Sequence, residues 1–261
     1  MTDLINKNEE LRAFSEFARK AHDDANCTYD GKNYYTHVSM VEDSVDKYET
    51  VFLLYTDYFI ARKAASGHDL IEDAQLTFND IKKASDRPVA RVILDVTDVH
   101  EENRLLRHLF TMGKTVKDYR SIIVKMADMR ANGLYSKTHG SSMYKKYVAE
   151  YKYRRPIFRM ALKWYSKHLD QEVLDEFWAE LDWIHDGETL IEPKSKFNLT
   201  AFKEYVNTYT KTGNGGGCDN DDIIVKDLVY GIGTSLDKEE YEFADGYERF
   251  LRHVNKINNF K

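Results

Sequence analysis

The stretch "LLYTDYFIARKAASGHDLIED", residues 53–73, decides the fold. Its first fourteen residues contain no proline or glycine, and their apolar positions recur at roughly helical spacing, so the stretch reads as helix. If that helix continues through "GHDLIED" (67–73), His68 and Glu72 are four apart, as are Asp69 and Asp73, and Asp69 and Glu72 are three apart. These spacings gather one histidine and three carboxylates on one broad face. Like charges at such spacing repel. Two answers are open: a solvated acidic face, or a cation that turns the repulsion into attraction, since His and Asp are common ligands of divalent first-row metals.

The same periodicity recurs along the chain, and the fold class it predicts is all-α. In "NEELRAFSEFARKAHDD" (8–24), Leu11, Phe14, Phe17, Ala18 and Ala21 recur at steps of three and four. "SDRPVARVILDVTD" (85–98) places Asp86 and Pro88 where a helix starts, although its β-branched residues leave a strand open. "DYRSIIVKMADMRANGLY" (118–135) reads as a buried helix. A further helix is expected to begin after Pro156 in "RRPIFRMALKWYSKH" (154–168), and "QEVLDEFWAELDWI" (171–184) follows it closely.

Basic residues interleaved with aromatics dominate 145–167, and acidic residues dominate 170–192. Basic-aromatic segments can bind single-stranded nucleic acid. Two adjacent amphipathic helices neutralising one another is the simpler reading and is preferred. After Pro193, "NLTAFKEYVNTYT" reads as helix, "KTGNGGGCDNDD" with its glycines at 213–217 as a loop, and "IIVKDLVYGIG" and "DKEEYEFADGYERFLRHVNKI" as closing helices. The expected organisation is a main domain over residues 1–192 and a helical C-terminal extension over 193–261, packed on the same globule. The glycines lack the following lysine and Ser/Thr of a phosphate-binding P-loop.

Composition narrows the function. A chain of 261 residues with 42% hydrophobic residues can fill a core, and a net charge of −6 argues against a general nucleic-acid coat. Two distant cysteines, Cys27 and Cys218, make neither a disulfide framework nor a cysteine-rich zinc site. No signal core, transit pattern or membrane-length apolar run is present, so a cytoplasmic protein without membrane association is expected.

Further candidate ligands lie on either side of the opening stretch. His37 follows "YDGKNYYT" and precedes an apolar helical pattern, and Asp128 sits inside an apolar helix, where an isolated carboxylate is costly. His37, His68, Asp69 and Asp128 together offer two imidazoles and two carboxylates. That set suits Mn2+, Fe2+, Zn2+ or Mg2+, with positions left for water and substrate.

The order and context of these residues resemble the HD-domain metal-dependent phosphohydrolases, whose ligands run H…HD…D, and within them the SpoT/Mesh1-like (p)ppGpp hydrolase branch. "FSEFARKAHDD", "GKNYYTH", "HDLIEDAQLTFNDI", "VILDVTDVHEENR" and "IVKMADMRAN" occur in the order seen there, over roughly residues 10–135. The resemblance implies an HD-domain helical bundle, a divalent metal, manganese first, on His37, His68, Asp69 and Asp128, and Glu72 and Asp73 beside the attacked phosphate as orienting or proton-accepting groups. It implies a nucleotide substrate, (p)ppGpp cleaved at its 3′-diphosphate, with Lys32, Tyr34, Asn103, Arg104, Arg107, Lys125 and Asn132 as substrate-side residues. For Arg104 and Arg107, pairing with Glu101 or Glu102 is an equal alternative. His22 has a family counterpart and reads as structural.

The chain also departs from the family. The arginine-lysine pair that helps hold guanine is absent from "DDANCTYDGKNYY", where Lys32 is the only cation. Gly67 replaces the usual bulky apolar residue, Val38 the usual proline, and Met129 the usual basic residue. The alternatives are therefore another nucleotide (a dNTP, a nucleoside monophosphate or a phosphorylated dinucleotide) and, from a different class, a non-catalytic module whose segment 145–167 contacts nucleic acid or a partner.

Overall fold

The computed structural model describes residues 2–100 and 104–185. The chain divides into two units, Met1–Thr189 and Leu190–Lys261. The helices expected after Pro193 and the glycine-rich loop lie outside the described residues, as does their expected packing on the main domain.

The first unit is all-α, as its periodicity predicts. Helix α1 (Thr2–Asp24) is followed by a small hairpin, then by α2 (Tyr35–Lys47), α3 (Tyr55–Gly67), α4 (Phe78–Ala84), α5 (Arg87–Val96) and α6 (Arg104–Thr115). Helices α7 (Tyr119–Thr138), α8 (Met143–Trp164) and α9 (Gln171–Ile184) complete it. No described helix is long and apolar enough to cross a membrane.

Helix α7 is the hub. It packs against α2, α3, α5, α6, α8 and α9, and Ile122, Ile123, Val124, Met126 and Ala127 are fully buried on it. Helix α3 packs against α1, α2, α5 and α7. Its Ala61, Ala64, Ala65 and Gly67 are fully or nearly fully buried, and small residues let neighbouring helices come close. Helix α5 starts as expected: the Asp86 side chain accepts from the Val89 N–H at 2.8 Å, and Pro88 lies in the first turn. The strand alternative for this segment is thereby excluded.

Three local expectations change. Helix α3 ends at Gly67, and residues 68–73 continue as turns, although the Asp73 N–H still donates to the Asp69 carbonyl at 2.8 Å. The crowd of carboxylates therefore sits on a turn at a helix end. Helix α8 starts at Met143 and runs through Pro156. Pro156 and Lys152 are both exposed, so the carbonyl that loses its partner can turn to water, while Tyr151, Ile157 and Phe158 are buried and hold the helix in place. The third change is a hairpin. Strands β1 (Thr28–Tyr29) and β2 (Lys32–Asn33) pair antiparallel, with Tyr29 opposite Lys32. The turn residues Asp30 and Gly31 have φ of 51° and 72°, and this left-handed pair is the demand that Asp-Gly meets. The dipeptide was the available signal.

The basic and acidic segments are joined by ion pairs. Arg155 contacts Asp182 at 2.5 Å and Arg159 contacts Asp175 at 3.6 Å, in antiparallel sense. Tyr151 and Phe158 point inward and Arg155 is engaged, so these three do not form a stacking surface for nucleic acid.

Candidate metal centre

Three separate parts of the chain meet at one point: the first turn of α2, the turn after α3, and the middle of α7. They bring His37, His68 with Asp69, and Asp128. The ligand atoms of His37, His68 and Asp69 lie within 4.8 Å of one another, and both histidines are buried, so this group could hold a metal ion. The two Nε2 atoms are 3.1 Å apart. Asp69 Oδ2 lies 2.8 Å from His68 Nε2 and 3.5 Å from His37 Nε2. Asp128 Oδ1 lies 3.4 Å and 3.9 Å from the nitrogens of His37 and His68.

This donor set fits a divalent cation. Two imidazole nitrogens this close either share a proton, for which a neutral N–H···N hydrogen bond suffices, or share a metal. Burial disfavours a charged His37 imidazole, but the bonds to Asp128 and Asp69 prevail and push it up to about 9. His68 is raised by Asp69 in the same way, against its burial. Burial would raise both carboxyls, yet Asp69 is held well below the usual range by the two histidines, and Asp128 is lowered by Lys125 and the histidines. A metal takes ionised carboxylates and neutral imidazoles, so binding one here releases the proton that the raised histidines hold.

The neighbours predicted as substrate-side residues fall in several places. Tyr34 donates its hydroxyl to Asp69 Oδ2 at 2.6 Å, and its ring stacks on buried His22 at 4.5 Å. Lys125 Nζ lies 3.1 Å from Asp128 Oδ2, and Asn132 Nδ2 donates to Asp128 Oδ1 at 2.5 Å. Lys32 is exposed and donates to the Tyr135 hydroxyl at 3.2 Å. Arg104 opens α6 and Arg107 is half-buried one turn on, while Asn103 lies outside the described residues. A cavity of about 20 Å³ behind Asp128, lined in part by Asn132, Tyr147, Glu150 and Arg154, has room for a water and not for a nucleotide.

Glu72 and Asp73 stand at the edge of the cluster. Glu72 Oε1 accepts the Asp98 N–H at 2.5 Å. Glu72 is exposed as a residue, but its carboxyl is crowded by protein. That desolvation prevails over the pull of Lys125 and, with the charges of Asp69 and Asp98, pushes it up to about 7. The Asp73 carboxyl is also raised by burial, against a bond from the Tyr34 hydroxyl.

Sequence reasoning did not single out Tyr29. Its ring stacks on His37 with centroids 4.8 Å apart and planes at 18°, and its hydroxyl donates to Asn132 Oδ1 at 3.1 Å. Nothing in the spacing of the chain announces such a contact.

Comparison with protein-family models, with curated proteins and with solved structures yields no match.

Proposed function

We propose that this protein is a metal-dependent phosphohydrolase acting on a nucleotide, most directly (p)ppGpp, whose 3′-diphosphate it releases as pyrophosphate. The observation that carries this reading is the convergence of His37, His68 and Asp69, with Asp128 beside them, from three separate elements. The order H…HD…D and the motif set that resembles the (p)ppGpp hydrolase branch supply the substrate class.

In this reading His37, His68, Asp69 and Asp128 hold one divalent ion, manganese first. Such an ion lowers the pKa of a bound water and stabilises developing charge on a phosphoryl oxygen. Glu72 accepts a proton at Oε2, since Oε1 takes the Asp98 N–H. Its affinity for protons near neutrality suits that work. Asp73 orients the water. Lys125 offsets the carboxylate charge at Asp128, and Arg104 and Arg107 meet the substrate phosphates through their forked donors.

A second reading keeps the chemistry and changes the substrate to a dNTP, a nucleoside monophosphate or a phosphorylated dinucleotide. It is favoured by Lys32, the one cation in the stretch where the family holds guanine, because its amine is already bonded to Tyr135. Manganese-loaded protein assayed against ppGpp, its adenine counterpart, dNTPs and monophosphates, with products resolved by chromatography, tests both. Pyrophosphate release from ppGpp is expected, with the adenine analogue tolerated. Turnover of dNTPs or monophosphates alone moves the assignment to the second reading, and no turnover of any nucleotide overturns both.

A further inference from the structure

The two histidines of the cluster are held in different ways. His68 donates its Nδ1–H to the Ala65 carbonyl at 2.9 Å, which fixes its tautomer and turns Nε2 toward the cluster. An outer hydrogen bond of this kind is the usual support of a metal-binding imidazole. His37 has none: its Nδ1 is buried and makes no hydrogen bond. Its Nε2 nevertheless points at His68, Asp69 and Asp128. The contact that covers a face of its ring is Tyr29, stacked at 4.8 Å, while Tyr34 meets it edge-on at 5.8 Å.

Tyr29 also reaches a second member of the cluster. Its hydroxyl donates to Asn132 Oδ1, and the other end of that amide donates to Asp128 Oδ1, the oxygen nearest His37. The hairpin that carries Tyr29 is itself anchored to α7. The Tyr135 hydroxyl donates to Asp30 Oδ2 at 2.7 Å and accepts from Lys32 Nζ, and the Tyr135 ring meets that of Tyr29 edge-on at 5.1 Å. Tyr29 is half-buried, on a two-residue strand rather than on one of the core helices.

We propose that Tyr29 is a positioning residue of the metal centre: its ring sets the plane of His37, and its hydroxyl, through Asn132, sets Asp128. Metal affinity then depends on a side chain that does not itself touch the ion. The proposal rests on the reading that His37, His68, Asp69 and Asp128 hold a metal.

The test is calorimetric titration of metal-free full-length protein with Mn2+ and with Co2+, the latter also followed by its visible absorption. The proteins are wild type, Tyr29→Phe, Tyr29→Leu, Asn132→Ala and the double variant Tyr29→Phe/Asn132→Ala. Loss of outer support costs about 10- to 100-fold in metal affinity, and that loss is expected for Tyr29→Leu, together with a changed Co2+ spectrum as the His37 ring turns. Tyr29→Phe keeps the ring and loses only the path to Asp128, so it falls between wild type and Tyr29→Leu with a near-native spectrum. In the Asn132→Ala background Tyr29→Phe has no further effect, because the amide that carries it is gone. Should Tyr29→Leu fail to fold, the Tyr29→Phe and Asn132→Ala cycle decides by its non-additivity. Wild-type affinity and spectrum in Tyr29→Leu, or additive losses in the cycle, overturn the inference while the metal reading stands. Failure of wild type to bind either ion overturns the metal reading and this inference together.

Discussion

In the proposed reading the carboxylate of Glu72 has two jobs, and its two oxygens divide them. Oε1 accepts the Asp98 N–H, so it holds the turn after α3 against the loop after α5. Oε2 is the atom able to take a proton. A Glu72→Gln substitution separates the two, since the amide oxygen can still accept from Asp98 but the group is no longer a base. Metal content and thermal stability should stay at wild-type values while turnover falls about a hundredfold to ten-thousandfold, the usual cost of a lost general base. Atomic absorption and steady-state rates on the same preparation measure both, and near-native turnover would remove Glu72 from the chemistry. The other predicted residues divide on similar grounds. Tyr34, Lys125 and Asn132 lie directly on the carboxylates of Asp69 and Asp128, and residue type alone did not distinguish that placement from one facing the substrate.

Helix α3 shows why one position admits no side chain. The chain has a glycine at 67 where the resembling family has a bulky apolar residue, and the packing explains it. A Cβ at Gly67 would lie 2.9 Å from both Ile93 Cδ1 and Leu70 Cδ1 and 3.1 Å from Phe14 Cε1. Those three side chains are buried and come from α5, the turn after α3, and α1. Leu70, on the turn that follows, occupies part of the space that a side chain at 67 would take. Restoring bulk with Gly67→Leu should therefore destabilise the fold by about 3 kcal/mol, the upper end of the range for overpacked cores. Urea unfolding followed by circular dichroism gives the value, and an unchanged midpoint would mean that the three neighbours can move aside. Helix α8 instead runs on through its local stop signal. Proline is a local stop signal, but at an exposed position inside a helix with a buried face it is carried through.

On the scale of the whole unit, α7 is tied to its neighbours by polar pairs as well as by its apolar face. Arg130, one place beyond the position where the family has a basic residue, grips Glu180 of α9 with two bonds of 2.8 and 2.9 Å and reaches Ser44 of α2 at 3.1 Å. At the far end of α9 the ring of His185 fits against Gly133, where a Cβ would come within 2.7 Å of its Nε2. Burial there lowers His185 to about 4, against its bond to the Leu181 carbonyl. The unfolded chain protonates near 6.5, so below that pH it binds protons that the folded chain refuses. The stability His185 provides is complete above about 6.5 and is lost as pH falls toward 4, amounting to about 3 kcal/mol across that window. Denaturation of metal-free protein between pH 7 and pH 4.5 should show wild type losing its advantage over His185→Gln as acid is added. A constant difference between the two would mean that His185 is as easily protonated folded as unfolded.

The sequence alone determined the parts that depend on near neighbours. Helical periodicity marked α1, α3, α5, α7 and α9, Asp86 and Pro88 marked the start of α5, and an aspartate within an apolar run marked Asp128 as a group needing a cation. These signals are legible because hydrogen bonding within a helix and the cost of a buried charge act on the residue and its immediate surroundings. Only the tertiary structure decided that α2, the turn after α3 and the middle of α7 meet at one point, that Leu70 and Ile93 pack where a side chain at 67 would lie, and that Tyr29 covers the ring of His37. Each of these is set by which helices pack together and how closely, and that depends on side chains far apart in the chain competing for the same space.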